Sequence, residues 1–140
     1  MLLLLVVAGS GIYRCLDFQN LRAKQIDLGC WILKEIGPDQ HICGSIREMR
    51  LVGYYSKGTP HPPSHEYLAQ PVLYAIKKYD PHVVLLWNDW QNAGGLAAYK
   101  DILDRQSELG FQQVDQDLLP KSCSEILVLV RKEKIEKLDR

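Results

Sequence analysis

The sequence has no excess of charge of either sign: 17 basic residues are matched by 17 acidic ones across 140 positions. A nucleic-acid surface needs a basic excess gathered on one face. The one charge-dense stretch, RKEKIEKLDR at the C-terminal end, mixes both signs, so nucleic acid is set aside as a partner. Paired cysteine motifs are absent as well. Cys15, Cys30, Cys43 and Cys123 are scattered, with neither a C-x-x-C nor a zinc-finger spacing. They read as small apolar residues that happen to carry sulfur, with one disulfide open to them only outside the cytoplasm. No internal repeat or low-complexity tract is found, and no apolar run approaches the roughly 20 residues that span a bilayer.

The motifs that announce chemistry are missing too. GSGIYR (Gly9 to Arg14) follows an apolar run but lacks the third glycine of a dinucleotide loop and the lysine of a P-loop. NAGG (Asn92 to Gly95) has no Lys, Ser or Thr where a phosphate would need one. No cofactor is expected. His61 and His65 stand four apart with Glu66 beside them, but Pro62 and Pro63 between them deny the shared helix face that a zinc site of that spacing needs. No metal is expected. GCW (Gly29 to Trp31) and CGS (Cys43 to Ser45) do not form a nucleophile elbow. The carboxylate pairs Asp101 with Asp104 and Glu133 with Glu136 fall on solvated helix faces. No catalytic residue is assigned.

What is present is an ordinary globular composition, 46% apolar and 24% charged, in a chain long enough for one domain with a real core. The opening run MLLLLVVAG admits three readings: the end of a membrane helix, a buried first strand, or a signal peptide without its basic start. From Asp17 to Ile36, Leu21, Ile26, Leu28, Trp31, Ile32, Leu33 and Ile36 recur at helical spacing, and Gly37-Pro38 stops them. HICGS (His41 to Ser45) is a short strand. IREMRLVGYYSKG is a short helix or turn with Leu51, Val52, Tyr54 and Tyr55 turned inward. TPHPPSH excludes regular structure through its three prolines. Ser64 caps a helix carrying Tyr67, Leu68, Val72, Leu73, Ile76 and Tyr79. HVVLLW is apolar on both faces, as a central parallel strand requires. A helix from Ala93 to Leu109 follows, then two strands, FQQVDQ and EILVLVR, joined by DLLPKSC. This order predicts an α/β fold: a three-layer Rossmann-like sandwich, mostly parallel, with a C-terminal antiparallel strand pair.

In such a fold ligands bind beyond the carboxyl ends of the strands. That rule nominates Asn88, Asp89 and Trp90 after one strand, and Gly44, Ser45 and Arg47 after its neighbour. The same stretch has a structural use: Asn88 and Asp89 cap a turn while Trp87 and Trp90 cover the sheet edge.

Several segments together resemble a known family. They are NLRAKQIDLGCWILKEIGPDQHICGSIREMRLVGYYSKG, then VLYAIKKYDPHVVLLW, then ELGFQQVDQ and EILVLVR. Over about residues 17 to 132 they resemble the soluble C-terminal domain of family-39-type membrane glycosyltransferases, the dolichyl-phosphate-mannose protein mannosyltransferase-like enzymes. Arg22, Leu28, Gly29, Trp31 and Ile32 match its first helix, although Arg22 stands farther from the glycine than in the family's pattern. Tyr54, Tyr55 and Gly58 match a YYxxG segment. Asp80 with Val83, Val84 and Leu85 matches an aspartate-led strand, and Leu109, Gly110 and Phe111 match an LGF turn.

The resemblance implies an accessory domain that follows a last membrane helix, with residues 1–16 as the end of that helix, Arg14 at the interface, 17–132 as one α/β domain and 133–140 as a charged tail. The family's acidic catalytic residue and lipid-linked sugar site lie in its membrane part, and no position here matches them. The implied partners are a transmembrane glycosyltransferase segment, in cis or in trans, and a glycosylation acceptor. The implied location is membrane-associated on the extracytoplasmic face, or soluble if the opening run is a core strand. This chain would then be a truncated product, a separately encoded domain or an excised piece. Two other readings stand beside it. One is a free-standing Rossmann-like nucleotide- or sugar-binding protein or enzyme. The other is an interaction module that dimerises through a strand edge near EILVLVR.

Overall fold

The computed structural model describes residues 2–45, 49–61, 69–87 and 99–135. The chain opens with one helix, α1 (Leu2–Glu35), of 34 residues. Gly37, with φ of 107°, lies just beyond its end and takes up the left-handed turn that stops it. The opening apolar run is therefore the start of this helix and not a strand. Among the described residues no helix is long and apolar enough to cross a membrane. In the second half of α1, Gln25, Leu28, Trp31, Ile32 and, just past its end, Ile36 are buried.

The elements that follow are β1 (His41–Gly44), α2 (Met49–Ser56), β2 (Thr59–His61), α3 (Ala69–Tyr79), β3 (Val83–Trp87), α4 (Lys100–Asp104), β4 (Phe111–Gln113), β5 (Ile126–Arg131) and α5 (Lys132–Ile135), with 3₁₀ turns at Gln116–Leu118 and Lys121–Cys123. The strands form one five-stranded sheet in the order β2-β1-β3-β5-β4. β1 runs parallel to both β2 and β3. β5 runs antiparallel to both β3 and β4.

The sheet is thus mixed, and the expectation of a mostly parallel one is corrected. The antiparallel pairing is not confined to the last two strands, because β5 inserts between β3 and β4 and pairs along all of β3, from Val83↔Val130 to Trp87↔Ile126. The expectation of a free strand edge at EILVLVR falls with it: β5 is paired on both sides, and the edges are β2 and β4.

Alternation along the strands divides the apolar side chains into two clusters. Ile42, Val83, Leu85, Val128 and Val130 join Leu28, Trp31 and Ile32 of α1 and Met49 and Val52 of α2. Cys43, Val84, Leu86, Leu127 and Leu129 join Val72, Leu73 and Ile76 of α3 and Ile102 of α4. Ile135 of α5 belongs to the first cluster, so the core reaches into the charged C-terminal stretch.

Two local expectations are revised. Pro60 does not exclude a strand: β2 holds it at the sheet edge, and Thr59 donates the N–H bond to Gln40 O at 2.8 Å that joins β2 to β1. A proline that lacks its N–H is tolerated there because that side needs no donor. In α2 only Val52 of the four residues expected inside is buried, and Tyr54 is 77% exposed.

Helix α1 meets α2 at Gly29, where a Cβ would lie 2.7 Å from Tyr55 Cβ and 2.9 Å from Val52 O. Alanine there gains roughly 1 kcal/mol of helix propensity. It also forces two helix backbones apart, an overpacking cost of up to about 3 kcal/mol. Gly29→Ala is expected to lower unfolding stability by about 1 to 2 kcal/mol in urea titrations. Asn20→Ala, on the exposed part of the same helix, should leave stability level or raise it.

Candidate functional site

The first end of the sheet to consider is where β1 and β3 finish. From β1 the chain moves to β2 on one side and then crosses back to β3 on the other, so the strand order reverses between β1 and β3. Ligand crevices form at such reversals. Gly44 and Ser45 stand there, both buried. A Cβ on Gly44 would fall 2.0 Å from the Leu85 carbonyl oxygen, and the Ser45 N–H donates to that same oxygen at 2.9 Å. The two residues thus bring the β1 and β3 backbones together. Arg47, Asn88, Asp89 and Trp90, the rest of the expected crevice, lie outside the described residues.

The opposite end carries a group that no sequence motif announced. His41 opens β1, His82 directly precedes β3, and His61 closes β2. The Ile42↔Val83 register sets His41 beside His82, and Cys43↔His61 sets His61 diagonally across from His41. The His41 ring lies 5.1 Å from that of His61 and 5.6 Å from that of His82.

Hydrogen bonds define the cluster further. The His41 N–H donates to His82 Nδ1 at 3.2 Å, while the His82 N–H donates to the His41 carbonyl at 2.8 Å. His61 Nε2 and His41 Nδ1 are 3.3 Å apart and share one hydrogen. His61 also stacks on Tyr79 of α3, with centroids 4.3 Å apart and planes at 10°. The imidazole of His61 is held below its usual pKa by burial and by His41. That of His82 is lowered by burial, then by Lys134 and His41, against the pull of Glu133 and Asp80.

These rings do not compose a metal centre. Because His82 Nδ1 accepts a hydrogen bond, its neutral ring carries hydrogen on Nε2 and offers no lone pair there. Among the described residues no group of three or more His, Cys, Asp or Glu is placed to hold a metal ion. His65, considered with His61 as a metal pair, lies outside the described residues.

Two of the thiols are buried, and the carboxylate pair of α4 lies on the surface. Cys43 is fully buried, and burial pushes its thiol up to about 12, with Arg131 pulling weakly the other way. Cys123 is raised by burial too, and its Sγ rests 3.4 Å from Lys24 O. Asp101 and Asp104 are exposed, with Arg105 3.9 Å from Asp101 and 3.1 Å from Glu108. A surface cleft does exist at the far edge of the sheet, lined by Gln112, Gln113, Asp115 and Gln116.

Comparison with protein-family models, with curated proteins and with solved structures finds no match.

The thiolate is the reactive form of cysteine, so exposure and pKa together set an order of reactivity. Of Cys30, Cys43 and Cys123, only Cys30 is exposed. Iodoacetamide at neutral pH followed by peptide mass mapping should label Cys30 readily and leave Cys43 at least about a hundredfold slower. Labelling of all three should follow in denaturant. Fast labelling of Cys43 in the folded protein would contradict its described burial.

Proposed function

We propose that this chain is an accessory α/β domain of a membrane glycosyltransferase system, held at the membrane surface by its first helix and free of a catalytic role of its own. The observation that carries the reading is the continuity of α1. One helix runs from the apolar residues after Met1 to the segment docked on the sheet. At 1.5 Å per residue, Leu2 stands about 34 Å along the axis from Gln25, a position buried against the domain. A domain built this way is carried rigidly by whatever holds the apolar end.

The glycosyltransferase assignment rests on the family resemblance. The residues that carry it have constructional uses here: Gly29 seats α2, Trp31 Nε1 donates to Leu118 O at 2.8 Å, Asp80 pairs with Arg131, and Phe111 lies under the Arg131 guanidinium at 4.4 Å. Such uses suit a shared scaffold and an accessory role. The fold is read accordingly as a three-layer, Rossmann-like sandwich whose parallel half, β2-β1-β3, is extended by an antiparallel pair. Its partners are a transmembrane glycosyltransferase segment and a glycosylation acceptor, on the extracytoplasmic face.

Flotation with phosphatidylcholine–phosphatidylglycerol vesicles tests the membrane arm. The full chain should float, and Leu4→Asp with Val6→Asp should release it to the soluble fraction while leaving the folded domain intact. A full chain that stays soluble would remove the anchoring role. The second arm is co-purification from native membranes with transfer of sugar from a polyprenyl-phosphate donor, an activity that the isolated chain should lack.

A second reading is favoured by one observation, the strand-order reversal beside Gly44 and Ser45. A free-standing nucleotide- or sugar-binding protein would use that crevice with Asn88 and Asp89. It requires saturable binding weakened by Asp89→Ala. Titration calorimetry against a panel of nucleotides and activated sugars should show no heat if the accessory role holds.

A further inference from the structure

His41 and His61 lie in strands, His82 directly precedes one, and the three meet at one corner of the sheet. Each contact among them requires a neutral ring. His82 Nδ1 must keep its lone pair to accept the His41 N–H at 3.2 Å. A protonated His82 would set a ring N–H against a backbone N–H, two donors with nothing to accept. His61 Nε2 and His41 Nδ1, 3.3 Å apart, hold one hydrogen between them. With both rings protonated, two N–H groups and two positive charges would face each other.

We propose that His61 and His82, which meet at His41, form an acid-sensitive latch that fastens edge strand β2, the end of α3 and the entry to β3 onto β1 while uncharged, and frees them when protonated.

The latch closes the parts of the sheet that are least held elsewhere. Among the described strands β2 has a single neighbour, and it has three residues, one of them a proline. Apart from the histidine contacts it is tied by its short parallel ladder to β1, by the Thr59 N–H to Gln40 O and by the approach of Pro60 to Gly53. The end of α3 reaches this corner through Tyr79, on which His61 stacks.

The surroundings make protonation harder. Tyr79 already carries a cation, with Lys78 Nζ 4.9 Å from its ring centre, so a second positive charge on that ring is opposed. From α5, Lys134 disfavours a charged His82 and Glu133 favours it. Asp80 also favours it, but Asp80 is paired with Arg131. Burial acts in the same direction on both His61 and His82, and His41 adds to it on each.

The sign follows by linkage. His61 and His82 titrate below the ordinary value of 6.5 in the folded protein, so the unfolded chain takes up protons first as the pH falls. Their contribution to stability is complete above that value and is lost as pH drops through it toward the folded-state values. A histidine stabilised by its charge would give the opposite slope.

Three measurements test the latch on the full chain. Histidine Cε1–H resonances followed across a pH titration should show His61 and His82 titrating below the ordinary value. Hydrogen exchange, corrected for intrinsic rate, should show Thr59 losing protection about tenfold more than Val128 between about pH 7.5 and pH 5.5. The urea midpoint should fall over the same interval, and His61→Phe with His82→Asn should at least halve that fall. Phenylalanine keeps a ring on Tyr79, and the asparagine amide oxygen can accept the His41 N–H. Equal pH slopes in the two proteins, ordinary or raised titrations, or equal protection losses at Thr59 and Val128 would each overturn the proposal. If the double variant does not fold, the titration and exchange of the unaltered chain decide it.

Discussion

The antiparallel ladder between β3 and β5 is the constraint from which the rest of this structure follows. Val83, Val84, Leu85 and Leu86 face Val130, Leu129, Val128 and Leu127, and all eight are buried. Two adjacent strands without water on either face must satisfy their peptide groups through neighbouring strands. β1 and β4 do so from the two sides. The same burial obliges helices to cover both faces: α1 and α2 supply one cluster, and α3 with α4 the other. Arg131 closes the end of the ladder. Its guanidinium donates to Pro81 O at 3.1 Å and Leu109 O at 2.9 Å, pairs with Asp80, and lies over Phe111. One side chain thus ties together the approaches to β3 and β4, where backbone carbonyls would otherwise lack partners.

Much of this was legible in the sequence, because burial writes itself as composition. HVVLLW and EILVLVR could be read as strands from their unbroken branched residues, and the docked half of α1 from its spacing. Direction left no such mark. A strand buried on both faces has the same apolar run whether its neighbour is parallel or antiparallel, so nothing in EILVLVR said that it would pair with β3 as well as with β4. Pro60 misled for a related reason: proline forbids a ladder bond on one side only, and which side faces outward depends on where the strand lies in the sheet.

The histidine corner was illegible in a different way. His41, His61 and His82 belong to no motif, and the spacing that was tested, His61 with His65, was a helical one. They meet because the register sets His82 level with His41 and brings His61, two residues beyond the position level with His41, diagonally across from it. A usable signal was present, however. A histidine directly precedes the apolar run in both HICG and HVVLLW, and parallel alignment of those runs sets His41 beside His82. At the other strand ends the sequence placed Gly44 and Ser45 where the order reverses, but the described role of both is backbone approach to Leu85. Such closeness needs glycine for steric reasons alone, whether or not a ligand ever enters.

The join between α1 and the sheet shows which contacts fix its direction. Lys24 and Glu125 form an ion pair at 2.8 Å, and Ser122 donates to Asp27 at 2.6 Å, but pairs this exposed contribute about 0 to 1 kcal/mol. They can set the rotation of the helix without holding it. The holding falls to Leu28, Trp31, Ile32 and Ile36, all within the sheet's core cluster, and each such side chain gains roughly 1.5 to 3 kcal/mol on burial. Gly29 lets α2 approach close enough for those four to be enclosed. Trp31 adds a directional bond to Leu118 O, which fixes the 3₁₀ turn after β4 against the same helix. The angle of α1 is therefore built into the core, so the helix cannot swing without unpacking the face of the sheet that it covers. The direction in which the docked half of α1 lies on the sheet is thus set by this packing.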